Sequence, residues 1–239
     1  MVRTTEGQMK ELFQKKTKTR FIKDQFVYHL DNVNVQFNNK PALKSVTLTI
    51  NPGEILFVTG KSGAGKTTLL NLLSGDINPS SGKIHGVKNN TRFASQVFQD
   101  LKLFENETCE QNIWYAYDSK IYKKKQEFYS DMMELVNVLG IADKLPLKVE
   151  SANGGLKQKV AMVRALMTRP NILIADEPTA SLDKESSIKL FDVLNFYNVK
   201  RKLTVVWASH NRELVKQFPG KIVHLENGKL VYSGHACFI

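Results

Sequence analysis

The sequence predicts an α/β fold with a mostly parallel sheet, on three observations. In the last third, short apolar runs alternate with helical spacings, the pattern of strands joined by crossover helices. The run Ile55-Leu56-Phe57-Val58 is apolar without alternation, as expected of a parallel strand covered on both faces. Between these regions lies a stretch with helical periodicity alone, so a helical subdomain is expected at about 100–168.

The elements follow in order. Residues 1–25 are expected to be a basic arm or a loosely held helix, with Lys10, Lys15, Lys16, Lys18 and Arg20 against Glu6 and Glu11. Val33, Val35 and Phe37 then alternate with Asn32, Asn34 and Gln36, a strand signature. Asn38-Asn39 makes a turn, Val46, Leu48 and Ile50 alternate again, and Asn51-Pro52-Gly53 makes a second turn. Met132, Leu135, Val136 and Leu139 share a helical face that stops at Gly140, and a second helix over 154–168 is broken by Pro170. A strand at 172–175, a helix at 184–197, a strand at 203–208 and a helix at 211–217 come next. Strands at 222–225 and 229–232 flank Asn227-Gly228, a hairpin dipeptide.

Composition bounds the function. Apolar residues make up 42% of the 239 and charged residues 24%, a globular balance that needs no disulfide staples. Cys109 and Cys237 offer neither a framework nor metal-ligand spacing, which points to a reducing compartment. No apolar run approaches the roughly 20 residues of a membrane span, and the first residues lack a secretory signal. A soluble, cytoplasmic chain is expected. Lys and Arg number 34 against 23 Asp and Glu, a net charge of +11. That excess suits a polyanionic partner: nucleic acid, nucleotide phosphates or anionic lipid. Lys120, Lys123, Lys124 and Lys125 form a second basic cluster, for which a solvated face is an equal reading.

The chemistry begins at Gly60-Lys61-Ser62-Gly63-Ala64-Gly65-Lys66-Thr67, which fits G-x-x-x-x-G-K-[ST] between a buried strand and the helix opened by Thr68. Its glycines let successive N–H groups face phosphate oxygens, and the helix N-terminus adds its positive end. Lys66 is expected on the β- and γ-phosphates and Thr67 on Mg²⁺. Asp176 ends an apolar strand, where a parallel sheet binds ligands, and is expected to hold Mg²⁺ through its water. Glu177 follows as a candidate general base. An acidic pair after a strand is otherwise a common helix-start feature, and the phosphate loop upstream is what favours chemistry.

These and further residues resemble the nucleotide-binding domain of the ATP-binding-cassette (ABC) family, over residues from about Val27 onward. Gln99 resembles the Q-loop glutamine. Asn153-Gly154-Gly155 and the following helix resemble the signature motif, Ser181-Leu182-Asp183 the D-loop, and His210 the switch histidine. Phe37 matches the aromatic position that stacks on adenine, although its strand face also allows a core role. The resemblance implies a P-loop ATPase core with an antiparallel β subdomain and an inserted helical subdomain, binding ATP and Mg²⁺. Glu177, His210, Gln99 and Lys66 would be catalytic; Thr67, Gln99 and Asp176 would hold metal. Phe37, the loop from Gly60 to Thr68, Asn153, Gly154, Gly155 and Asp183 would contact nucleotide, with Asn153, Gly154 and Gly155 reaching the nucleotide of the other subunit in a head-to-tail homodimer.

The resemblance also implies an integral membrane partner on a separate chain and a peripheral position on the inner face of the membrane. Leu56 to Gly60, Ser62 to Gly65 and Phe98-Gln99-Asp100 are most similar to the bacterial cell-division type, FtsE, which implies an FtsX-like permease as partner. Substrate-exporting relatives of the lipoprotein-release and macrolide-export types share every site residue, and a weakly hydrolysing switch is a further alternative. A DNA-repair or chromosome ATPase would need heptad arms or zinc modules, and neither is found in the sequence, so nucleic acid is not the expected partner. Two departures stand out. Asn153 replaces the signature serine and Leu156 its glutamine, which is expected to weaken donation to the γ-phosphate and slow hydrolysis.

Overall fold

A computed structural model of the chain describes residues 26–86 and 94–235. Along it run β1 (Tyr28–Phe37), β2 (Lys40–Ile50), β3 (Ile55–Thr59), α1 (Lys66–Ser74), β4 (Ser81–His85), β5 (Ala94–Val97), α2 (Cys109–Trp114), α3 (Lys125–Val138) and α4 (Gly154–Met167). Then follow β6 (Ile172–Asp176), α5 (Lys184–Arg201), β7 (Thr204–Ser209), α6 (Arg212–Val215), β8 (Lys221–Glu226) and β9 (Lys229–His235). The main sheet has the order β5-β6-β7-β3-β8-β9, parallel as far as β8 and antiparallel at β9. A smaller antiparallel sheet has the order β2-β1-β4.

Successive strand side chains point to opposite faces, so an unbroken apolar run supplies two cores at once. Ile55, Phe57, Leu173, Ala175, Val205 and Trp207 join one cluster with the middle helices and α5. Leu56, Val58, Ile172, Ile174, Val206 and Ala208 join the other, with Leu69, Leu70, Leu72 and Leu73 of α1 and the inner face of the small sheet. The expected helical stretch is present as α2, α3 and α4. It has no core of its own, however: Met132, Val160 and Val163 lie in the same cluster as Phe57 and Trp207.

Other boundaries shift for local reasons. The helix expected over 184–197 runs on to Arg201, capped by Lys202 in the left-handed region at φ 55°. The one expected over 211–217 shortens to a single turn, α6. Asn32, at φ 48°, interrupts β1, so the inward set passes from Tyr28 and Leu30 to Val33 and Val35. Asn227 at φ 49° and Gly228 at φ 78° form the expected hairpin turn. The basic arm at 1–25 and Cys237 lie outside the described residues.

Candidate functional site

The strand β3 delivers the chain to the glycine-rich loop, and Gly65, at φ 104°, starts α1. A side chain at Gly65 would meet the Ala42 carbonyl at 2.7 Å, so the position needs glycine on conformation and on space. The β8–β9 turn braces the loop: Gly228 N donates to Ala64 O at 3.1 Å, and Lys44 N to Gly228 O at 2.8 Å. Lys66, 8% exposed, donates through Nζ to Gly60 O at 2.9 Å and Lys61 O at 3.3 Å. These bonds fold the ammonium back over the loop.

Parallel strands end on the same side, which brings β6 and β7 to this loop. Thr67 Oγ1 donates to Asp176 Oδ2 at 2.6 Å. Glu177 lies next, with Oε1 3.6 Å from Lys66 Nζ and Oε2 2.9 Å from His210 Nδ1. Its backbone is left-handed, φ 52°, a conformation that a non-glycine residue keeps only when its surroundings over-determine it. Glu177 N donates to Ala208 O at 3.0 Å, while Glu177 O accepts from Ala180 N at 3.1 Å and from Gln158 Nε2 at 3.2 Å.

One cavity of about 690 Å³ gathers Lys61, Ser62, Gly63, Gly65, Lys66, Thr67, Thr68, Gln99, Asp176, Glu177 and His210, with Ala42 and Ala180 at its edge. Eleven of the residues singled out from sequence therefore share one wall, although they span Lys61 to His210. Gly60 and Ala64 sit behind it as scaffold. The wall fits a nucleotide tail: a side chain built at Gly63 would meet nothing within 4 Å, so there the loop faces open space beside Lys66. Thr67, Asp176 and Gln99 offer hydroxyl, carboxylate and amide oxygens, a hard donor set suited to Mg²⁺. Among the described residues no group of three or more His, Cys, Asp or Glu could hold a metal.

The remaining candidates lie apart from this wall. Phe37 is 51% exposed, whereas Val33 and Val35 are buried, which removes the core reading of that side chain. Asn153 caps α4, its Oδ1 accepting from Leu156 N at 2.8 Å, and its exposed amide nitrogen keeps both N–H groups for other partners. The half-buried Leu156 packs against the main cluster, as does Leu182, so it occupies apolar space rather than the outer rim. Side chains at Gly154 or Gly155 would reach Ser181 Oγ or Ser181 O at 2.9 Å, so the two glycines admit the Ser181 loop of their own chain. Asp183 caps α5 through Ser186 N at 2.7 Å, and that backbone hydrogen bond holds its carboxyl below the usual range. His29 and His224 bond Thr49 and Thr59, as structural histidines do, and burial lowers the pKa of His224.

Two residues went unread in the sequence. Gln158 and Arg164, both on α4, bond backbone carbonyls at opposite ends of the site: Gln158 at Glu177, Arg164 at Leu101 (2.8 Å) and Lys102 (2.9 Å), just after Gln99. Their partners are remote in sequence, so no local pattern exposes them.

A glycine-rich phosphate loop, a strand-end Asp-Glu pair and a histidine just past the end of the next strand, set on a five-stranded parallel run, define a P-loop ATPase. The chain belongs to the ABC transporter family, whose sequence profile matches residues 43–180. It is 33% identical over 217 residues to the methionine import ATP-binding protein MetN of Corynebacterium glutamicum, covering 82% of this chain and 59% of that protein. MetN of Streptococcus agalactiae is 32% identical over 228 residues, covering 87% of this chain and 64% of its own length. The chain thus spans about 59–64% of these relatives. Its fold matches the ATP-binding cassette MJ0796, solved as a dimer in a post-hydrolysis state with ADP and Pi, at a TM-score of 0.75 and 25% identity, covering 89% of this chain and all of the other. The chain is an ATP-binding domain of the ABC ATPase type with the corresponding α/β fold. These relatives carry import names, so they speak for the family and not for the cell-division likeness. Among the described residues no helix is long and apolar enough to cross a membrane.

Proposed function

We propose that this chain is the ATP-hydrolysing subunit of an ABC complex that moves a solute through a separate membrane partner. The observation that carries the chemistry is the single wall shared by Lys66, Thr67, Gln99, Asp176, Glu177 and His210. The loop N–H groups and Lys66 bind the β- and γ-phosphates, releasing Lys66 from Gly60 O and Lys61 O as they do so. Thr67, Asp176 and Gln99 would hold Mg²⁺, which when bound would supply charge neutralisation on the phosphates. Glu177 accepts the proton of the water that attacks the γ-phosphorus, and His210 holds its carboxylate in line, giving ADP and Pi. Phe37 stacks on the base, and Asn153, Gly154 and Gly155 meet the nucleotide of a second copy.

The import names of the relatives support a substrate-moving complex over the cell-division one. The likeness at Leu56 to Gly60 and Phe98 to Asp100 keeps an FtsX-like partner as the second reading. The test is affinity isolation of the chain from detergent-solubilised membranes of its own cell. A multi-span partner whose loss abolishes uptake of a solute such as methionine supports the first reading; one that engages cell-wall hydrolases supports the second. Isolation of the chain alone, with uncoupled ATP turnover, overturns both.

A further inference from the structure

We propose that Gln158 is a positioning residue for hydrolysis, an inference that rests on Glu177 being the general base. Its side chain is 8% exposed and reaches out of the second turn of α4 to two points on the loop after β6. Nε2 donates to Glu177 O at 3.2 Å, and Oε1 accepts from Ser181 N at 2.9 Å. One planar amide thus fixes both ends of the segment from Glu177 to Ser181. The segment is short and strained: Glu177 is left-handed at φ 52° and Ala180 N closes a turn on Glu177 O.

The geometry makes the first turns of α4 and the Glu177 loop one body. Gly154 and Gly155 leave room for Ser181, which a side chain at either position would meet at 2.9 Å, and Gln158 holds Ser181 there by accepting from its N–H. Asn153 begins the same helix. Any movement that presses Asn153 onto a second copy's nucleotide therefore also reorients the Glu177 backbone of its own site. Removing the clamp frees the left-handed residue to relax, and its carboxylate moves off the line of attack, where a shift on the order of 1 Å costs about 10²-fold.

The test compares Gln158→Ala, Gln158→Glu and Glu177→Gln in the full chain, reading kcat, KM, fluorescent-ATP affinity and thermal midpoint. Gln158→Ala is expected to lower kcat by roughly 10- to 100-fold with nucleotide affinity within a few-fold, since no phosphate contact is touched. Gln158→Glu keeps the acceptor for Ser181 N but sets a carboxylate oxygen against Glu177 O. It should lose as much kcat, and the thermal midpoint read on both variants separates that loss from misfolding. On the Glu177→Gln background, Gln158→Ala should lower the residual rate no further. Wild-type kcat in both Gln158 variants, or a loss seen only as raised KM, overturns the proposal while leaving Glu177 as base. Wild-type turnover in Glu177→Gln itself removes the base reading instead.

Discussion

Replacing Asn153 by Asp separates two roles that the signature position combines. The Asn153 carbonyl oxygen caps α4 at 2.8 Å from Leu156 N, and its N–H groups remain for the γ-phosphate of a second copy. Asp caps as well as Asn, and its charge at a helix N-terminus adds about 0.3–1 kcal/mol. Stability should therefore hold or rise, by up to about 3 °C in a domain of this size. The donors vanish, however, and a carboxylate meets the phosphate. Loss of one preorganised donor costs about 3 kcal/mol, so turnover should fall on the order of 10²-fold or more. Asn153→Ala should lose the donors and the cap together, dropping the midpoint by about 2–4 °C. Asn153→Ser keeps an acceptor and a donor and should turn over within several-fold of the parent or faster. Calorimetry and a phosphate-release assay at saturating Mg-ATP read both axes. An Asn153→Asp variant that hydrolyses ATP at the parent rate would refute the placement of this amide at the phosphate.

Three further outcomes are expected. Phe37→Ala should leave the thermal midpoint nearly unchanged, the ring being 51% exposed, yet weaken ATP about tenfold for a lost stacking contact near 1.4 kcal/mol; equal affinity in a fluorescent-ATP titration would count against stacking. Burial pushes the Tyr28 and Tyr122 hydroxyls up to about 12, so they stay neutral in the fold while the unfolded chain ionises near 10. Stability to urea should accordingly fall between pH 10 and 12, and Tyr122→Phe should flatten part of that fall. Deleting residues 1–23 should weaken binding to anionic vesicles, most at low salt; equal binding by the truncated chain would leave the arm a solvated face.

What the sequence discloses here is whatever is contiguous or periodic. The phosphate loop is a single run, β3 and β6 are unbroken apolar segments, and Asn227-Gly228 sits at its turn, so each can be read in place. Asp176, Glu177 and His210 are legible because a parallel sheet brings strand ends to one edge, whatever their distance along the chain. The phase shift at Asn32 is not legible, because it depends on a left-handed residue that the alternation of Val33 and Val35 conceals. Gln158 reads as a polar residue on a mostly apolar helix. Its partners lie 19 and 23 residues on, in a loop whose path is set by tertiary packing and not by any local pattern. Leu156 shows the opposite error. In the sequence it is a lost polar group of the signature, whereas in the fold it is a side chain spent on the core.

The most direct measurement is made on Glu177→Gln, which keeps the phosphate loop, Thr67 and Asp176 and removes only the carboxylate between Lys66 and His210. Phosphate release and light-scattering mass are recorded together, with and without Mg-ATP. Turnover is expected to fall by at least about 10²-fold, the scale of lost general-base catalysis, while ATP still binds and holds two copies closed over both nucleotides. Parent-rate hydrolysis by a chain that stays monomeric in Mg-ATP would contradict it.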